Sequence, residues 1–156
     1  MALLFSAVLM IGFTGCSGED VNKDIDVKGT VGSIIGTEDT TQFPEMIEVQ
    51  EKNVDNYLVG IDMSKVESYA YQICASGAYP DEVLILKMKS KDDVETAKKC
   101  VEDRQSRQTE RFTDYNPEEK PKLEQSVIET KGRYVFYAVA KDSAAAKKIF
   151  TDAFKS

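Results

Sequence analysis

The sequence contains no histidine, and this absence excludes several kinds of chemistry. Histidine is the usual general base at neutral pH and the commonest metal ligand in proteins. Catalytic triads that depend on histidine are therefore excluded within this chain, whereas chemistry that needs only carboxylates is not. The chain also has no run of about 18 consecutive apolar residues, which a membrane-spanning helix requires.

Positive charge is scarce. Twenty Lys and Arg residues stand against 27 Asp and Glu residues, which gives a formal net charge of −7 at pH 7. All charged residues come after Gly18. An acidic surface repels the phosphates of nucleic acids and the headgroups of anionic lipids. We therefore expect no nucleic-acid partner and no membrane binding through charge alone.

The N-terminus has the character of an export signal. Residues 1–13 form an uncharged apolar run of the length typical of a signal-peptide core. Thr14-Gly15-Cys16 follows, and small residues before a cysteine resemble the bacterial lipobox. This pattern predicts a lipoprotein signal peptide over residues 1–15. Cys16 would then receive a diacylglycerol and become the new N-terminus, with the acyl chains anchoring the protein outside the cell membrane.

Two departures from the lipobox pattern leave alternatives open. Phe13 stands where Leu is usual, and the expected basic residues are missing from the beginning, which suggests that the true start lies upstream of Met1. The alternatives are an ordinary secretory signal with an incidental cysteine, or a buried N-terminal helix.

Residues 16–43 are rich in Gly, Ser, Thr, Asp and Glu, and they predict a flexible spacer after the lipidated cysteine. Val31, Ile34 and Ile35 are isolated apolar residues in this segment and offer at most a short docking strand. We expect one folded domain over residues 44–156.

The sequence of the first half of this domain predicts one helix and two strands. Apolar residues from Met46 to Leu58 recur at partly helical spacing, and Gly60 would end that helix. Alternating Tyr and Ile residues predict a strand over 66–75. The almost continuous apolar run Glu82–Met88 fits a central strand.

The second half predicts a long helix, a hairpin and a final helix. The long helix extends to about Phe112 and is followed by a shorter helix over 118–123. Strands over 126–130 and 134–140 form the hairpin, and Asp142 or Ser143 caps the last helix. The predicted fold is α+β: a four-stranded antiparallel sheet with helices on one face, in the order α-β-β-α-β-β-α.

Several segments in this order resemble a known family. They are Glu82–Lys89, Arg104–Gln108, Phe112, Tyr115–Glu119 and Gly132–Val135. Together they look like the clostridial, Gram-positive lipoprotein family that is classed only as a domain of unknown function (the four-three-five-eight DUF family). The resemblance covers about Tyr57 to Phe154, together with the lipobox. It implies an extracytoplasmic lipoprotein, and it assigns neither an activity nor catalytic residues.

Three arginines form the clearest candidate binding site. Arg104, Arg107 and Arg111 lie on one helical face and could hold a carboxylate, phosphate or sugar acid. The alternative is a solvated face that pairs with neighbouring acids. Tyr115 begins a segment that either ends the helix and turns the chain or forms a binding loop.

No residue pattern predicts catalysis or metal binding. Adjacent acids such as Asp92 and Asp93 occur in helix turns, whereas a two-carboxylate glycosidase needs acids that face each other across a cleft. The acidic runs also lack the alternating pattern of a calcium loop. Cys74 and Cys100 form either a disulfide or two small buried hydrophobic residues.

The sequence therefore predicts a non-catalytic, membrane-anchored binding module without a cofactor. Its expected partners are the membrane, through Cys16, and a protein or wall component of the cell envelope. The alternatives are a lipoprotein that senses or captures a small anionic ligand and, third, a hydrolase that uses carboxylates.

Overall fold

A five-stranded antiparallel sheet organises residues 23–37 and 43–155, which are the residues that the computed structural model describes. The strand order is β1-β2-β3-β5-β4. The prediction of an antiparallel sheet is confirmed, but the predicted number of four strands is wrong. The strands are β1 (Met46–Glu48), β2 (Val66–Cys74), β3 (Glu82–Met88), β4 (Val127–Lys131) and β5 (Tyr134–Val139).

Helices precede, separate and follow these strands. The longest is a helix of 22 residues between β3 and β4. Short 3₁₀ turns lead into several of the helices. The α-helices are α1 (Val27–Gly36), α2 (Val54–Tyr57), α3 (Val94–Tyr115), α4 (Lys120–Glu124) and α5 (Ser143–Asp152).

The two central strands, β3 and β5, are buried along their whole length. They pair directly, with Leu84 opposite Tyr137 and Ile85 opposite Phe136. Their sequences are apolar on both faces, so neither face can be left in water. The fold therefore has to cover the sheet on both sides.

The helix α3 covers one face. It contributes Val94, Ala97, Val101 and Phe112 to a core that also contains Leu84, Leu86 and Tyr137 from the sheet. The helices α1 and α5 cover the opposite face, where Val31, Ile34, Ala146 and Phe150 pack against Val83, Ile85 and Phe136. The prediction that helices lie on one face is therefore wrong.

The helix α1 lies within the segment that was predicted as a flexible spacer, so that prediction is wrong for residues 27–36. Asp26 caps the helix by accepting hydrogen bonds from the backbone N–H groups of Lys28 and Gly29, both at 3.1 Å. Val27, Val31 and Ile34 lie on one side of this helix and are buried. The folded domain thus begins before Pro44. Residues 16–22 and 38–42 of the predicted spacer are outside the described residues.

The predicted first helix is mostly absent. Met46–Glu48 form the edge strand β1, in which Ile47 pairs with Ile73 of β2. Only Val54–Tyr57 form a short α-helix. The helical spacing was misleading because the neighbouring strand offers backbone hydrogen bonds that outweigh local preference.

The remaining elements agree with the predictions within a few residues, and β3 agrees at both ends. Gly132 adopts φ +57° in the turn between β4 and β5, which is a conformation that favours glycine. Asp142 caps α5 by accepting a hydrogen bond from the N–H group of Ala145 at 2.9 Å. Within the described ranges, no helix combines the length and apolar character that crossing a membrane demands.

Candidate functional site

A cavity of about 270 Å³ opens where α3 passes the end of β2 and the loop that leads into β3. Two of the four predicted binding residues, Arg104 and Arg111, line it. Polar, aromatic and aliphatic side chains converge on this place. The lining residues are Ile47, Tyr57, Ile73–Gly77, Tyr79–Asp81, Arg104, Gln108 and Arg111.

An ion pair lies beneath the cavity. Arg104 donates from Nε to both carboxylate oxygens of Glu82, at 3.3 and 3.2 Å, and Tyr71 donates its hydroxyl to Glu82 at 2.6 Å. The side chain of Glu82 is 1% exposed and that of Arg104 is 14% exposed.

Burial and the neighbouring carboxylate also act on two tyrosines. Burial raises the pKa of Tyr71 well above its usual value, and the negative charge of Glu82 raises it further. The pKa of Tyr137 is raised well above its usual value for the same two reasons. Both hydroxyls therefore stay protonated at neutral pH, so they can donate hydrogen bonds and do not act as bases.

Asp81 also borders the cavity, but its side chain is completely buried, at 0% exposed. Its Oδ2 accepts a hydrogen bond from Lys122 Nζ at 2.9 Å, and Lys122 also pairs with Glu119 at 2.7 Å. Its Oδ1 is buried and has no hydrogen-bond donor among the described residues. Burial raises the pKa of Asp81, while the hydrogen bond and positive charge of Lys122 lower it by less.

Gln108 and Arg111 extend the polar wall along α3. Gln108 is 6% exposed and is one of the residues that line the cavity. Arg111 is exposed and donates to the carbonyl of Gly77 at the long distance of 3.4 Å.

Aromatic and aliphatic side chains form the rest of the wall. The guanidinium of Arg104 lies 5.2 Å from the ring centre of Tyr57, and Lys122 Nζ lies 5.3 Å from that of Tyr79. Tyr79 and Ile47 are both more than 40% exposed. Exposed apolar side chains beside a polar cavity are typical of binding sites.

The other two predicted residues lie outside the cavity. Arg107 donates to the backbone carbonyl of Tyr57 at 2.7 Å. Tyr115 is exposed, and its ring meets that of Phe112 edge to face at 6.0 Å. The predicted arginine face is therefore divided into a part that faces the cavity and a part that ties α3 to α2.

Asp81 and Gln108 were not predicted as site residues. Asp81 follows Pro80 and looked like part of a turn, and Gln108 lies among charged residues that looked solvated. One signal was available for Gln108, because it falls four residues after Arg104 and three before Arg111 on the same helical face. No local signal marks Asp81, since only the tertiary fold brings it next to α3.

The remaining predictions about chemistry concern the cysteines and metal binding. Cys74 and Cys100 are both free and buried, so the structure contains two small buried residues instead of a disulfide. Burial raises the pKa of the Cys100 thiol, which lowers its reactivity. Cys16 is outside the described residues. No cluster of metal-ligating side chains occurs in residues 23–37 or 43–155.

The comparisons with known proteins identify a family without a known activity. The model described as "Domain of unknown function (DUF4358)" matches residues 39–140, which is well over half of the chain and confirms the predicted resemblance. The match includes every residue that lines the cavity. No curated protein matches the chain, and no solved structure does. The chain therefore belongs to the DUF4358 family, whose domain is of unknown function.

Proposed function

We propose that this chain is a lipid-anchored, extracytoplasmic module that binds a ligand or partner of the cell envelope without transforming it. The observation that carries the proposal is the cavity beside α3, which Arg104 and Arg111 line together with the exposed side chains of Ile47 and Tyr79. A concave site that combines apolar walls with a few polar groups is the usual form of a ligand-binding site.

The anchor part of the proposal rests on sequence. The apolar run and Thr14-Gly15-Cys16 provide a site for lipid attachment, and attached acyl chains would hold the domain at the outer surface of the membrane. We expect Cys16→Ser to move the protein from the membrane fraction to the soluble fraction. Loss of a fatty-acid mass from the mature N-terminal peptide would accompany this change.

A specific observation favours a small ligand with an acidic group as the second candidate. Arg104 and Arg111 both line the cavity, and guanidinium groups bind carboxylates and phosphates through paired hydrogen bonds. A hydrolase with two facing carboxylates has less support, because Asp81 is the acidic residue in the lining. We therefore propose binding and no catalysis.

Native mass spectrometry of the purified full chain tests the binding function. We expect a co-purified ligand to add its mass to the wild-type protein and to be recovered chemically unchanged. The adduct should be lost in Arg111→Ala, which removes an exposed lining residue. It should persist in Lys99→Ala, which removes the same charge from an exposed position on α3 outside the lining.

Two results would contradict the proposal. One is an adduct that survives Arg111→Ala and is lost in Lys99→Ala. The other is the absence of any adduct together with an unchanged melting temperature across a library of envelope metabolites and wall fragments.

A further inference from the structure

One cation in the lining of the cavity beside α3 has no acidic partner among the described residues. The charged lining residues are Arg104, Arg111 and Asp81. Arg104 pairs with Glu82, and the completely buried Asp81 pairs with Lys122. Arg111 forms no salt bridge within the described part of the chain. The positive charge that the lining offers to a ligand is therefore that of Arg111.

Two aromatic rings support the guanidinium of Arg111. It lies 5.4 Å from the ring centre of Phe112 and 5.5 Å from that of Tyr115. Its bond to the carbonyl of Gly77 is long, at 3.4 Å, and uses one of the five N–H donors of the side chain. Because Arg111 is exposed, its other donors can bind an acceptor, and two parallel bonds to one carboxylate suit the geometry of arginine.

Apolar side chains line the cavity on its sheet side. Ile47 of β1 and Ile73 of β2 are directly opposite each other, so their side chains lie on the same face of the sheet. Both line the cavity, and so do the rings of Tyr57 and Tyr79. A ligand that reaches Arg111 therefore also meets aliphatic and aromatic surface.

The exposed apolar residues of the domain are concentrated at this place. Four large hydrophobic side chains are exposed in the described part of the chain. Ile47 and Tyr79 line the cavity, and Tyr115 contacts Arg111. The fourth is Val59. Scattered exposed apolar residues are normal, but a group of them around a cavity indicates a surface that a ligand covers.

We propose that the cavity binds a small monocarboxylate with an apolar body. Its carboxylate bonds to Arg111, and its body packs against Ile47, Ile73 and the ring of Tyr79. This inference rests on the proposed binding function and names the class of ligand for the same site. The cavity volume of about 270 Å³ suits a small molecule better than a peptide.

The charges near the cavity favour an anion with a single charge. Glu82 already neutralises Arg104, and a second acidic residue, Asp81, borders the cavity. A ligand with two negative charges, such as phosphate, would find one unpaired cation and would be repelled by the acidic groups behind the wall. A monocarboxylate has one charge for Arg111 and leaves no further charge without a partner.

Four small probes separate the contributions of the charge and the apolar body. Isothermal titration calorimetry of the full chain in detergent micelles, with protein-free micelles as the blank, would compare 3-phenylpropanoate, 3-phenylpropanol, acetate and inorganic phosphate. The first has the charge and the body, the second only the body, and the last two only charge. We expect 3-phenylpropanoate to bind about tenfold more tightly than the other three, and 4-methylpentanoate to bind in the same range as 3-phenylpropanoate.

Variants test the two parts of the site separately. Arg111→Ala should weaken the binding of 3-phenylpropanoate about tenfold and leave that of 3-phenylpropanol unchanged. Ile47→Ala should weaken both by the same factor, about threefold, because it removes contact with the body that they share. Lys99→Ala and Val59→Ala are the matched changes of an exposed cation and an exposed apolar residue outside the lining, and they should leave every probe unchanged. Circular dichroism should show that each variant is folded.

Several outcomes would overturn the monocarboxylate and leave the proposed binding function standing. They are acetate or phosphate binding as tightly as 3-phenylpropanoate, 3-phenylpropanol binding as tightly as 3-phenylpropanoate, and equal affinity of wild type and Arg111→Ala for 3-phenylpropanoate. Failure of both apolar carboxylates to bind also overturns it. Failure of the binding function itself is a separate result, because it is read from native mass spectrometry and the melting-temperature screen.

Discussion

Arg104 has a structural role as well as a place in the cavity wall. Its guanidinium neutralises Glu82, whose side chain is almost completely buried. Removing one partner of a buried ion pair leaves the other charge without compensation. We therefore expect Arg104→Ala to lower the free energy of unfolding by roughly 3 kcal/mol, measured by urea denaturation at neutral pH without ligand.

Arg107→Ala is the matched control for this loss. Arg107 lies on the same helix and donates to a backbone carbonyl, but its side chain is exposed. We expect this variant to lose less than about 1 kcal/mol. Equal losses in the two variants would show that the Glu82 carboxylate is not held by Arg104.

Asp81 gives the stability of the protein a dependence on pH. The pKa of its carboxyl group is raised in the folded state above the ordinary value of 3.8. Folding therefore takes up a proton between pH 3.8 and the raised pKa, and the free energy of unfolding decreases as the pH rises through this window. Asparagine has no such proton. We expect urea denaturation to show that Asp81→Asn gains stability relative to wild type as the pH rises from 4 toward 7.

A constant difference between Asp81→Asn and wild type across this pH range would contradict the raised pKa. Lys122 keeps its charge throughout the range, because its own pKa is raised above 10.5. In Asp81→Asn, the loss of the hydrogen bond from Lys122 therefore changes the free energy of unfolding by the same amount at every pH. It does not produce the predicted trend.

The candidate site could be predicted only where its residues share a helix. Arg104 and Arg111 were found because helical spacing places them on one face, and the same spacing includes Gln108. Asp81 lies more than 20 positions before Arg104 in the sequence and meets α3 only after the sheet has formed. Its unsatisfied oxygen is a property of tertiary packing, which the local sequence does not encode.

The helix α1 shows how packing changes the role of a polar segment. Ile34 is 2% exposed between the sheet and α5, whereas the neighbouring Ser33 is exposed. We expect Ile34→Ala to cost about 3 kcal/mol of unfolding free energy, since it leaves a cavity in the core. Ser33→Ala should change it by less than about 0.5 kcal/mol. If urea denaturation gave equal values for the two variants, α1 would not be part of the cooperative fold.

The elements that were predicted well are those with a strong pattern of their own. The strand β3 is apolar at nearly every position, and α3 follows a 3₁₀ turn that Ser90 caps and has a long periodic stripe of its own. The edge strand β1 has three residues and depends on β2 for its hydrogen bonds. The apolar residues of α1 are separated by Gly, Ser and Thr. This polar composition led to the prediction of a flexible spacer, although the spacing of the apolar residues is helical. Yet the two-sided burial of β3 and β5 required a second helical layer, and α1 provides part of it.

The cavity and the first described residues lie at opposite ends of the sheet. Asp24 pairs with Lys87 near the end of β3, at 2.9 Å, and accepts a hydrogen bond from Tyr134 at 3.2 Å. The hydrogen bond with Lys87 is the main cause of the lowered pKa of Asp24. The cavity adjoins Glu82 at the start of the same strand, about 17 Å away at the usual rise per residue.

This arrangement would direct the cavity away from the membrane. The proposed anchor at Cys16 comes seven positions before Lys23, a length of chain that can span at most about 25 Å. The helix α3 begins at the end of the sheet near Lys87, where Lys65 pairs with Asp93 at 2.8 Å. Its other end reaches the cavity loop, where Asn116 donates to the carbonyl of Ala78 at 3.4 Å.

Two fluorescent labels would measure this orientation on the full chain, carrying the proposed lipid, in vesicles. Asp92→Cys and Asp114→Cys are matched changes of exposed residues near the two ends of α3, which are about 33 Å apart along the helix. Cys74 and Cys100 are buried and should not compete for the label. We expect energy transfer to acceptor lipids to be more efficient from position 92 than from position 114, since position 92 lies on the same side of the domain as the first described residues, which follow the proposed anchor at Cys16. More efficient transfer from position 114 would place the cavity against the bilayer and exclude a ligand that arrives from outside.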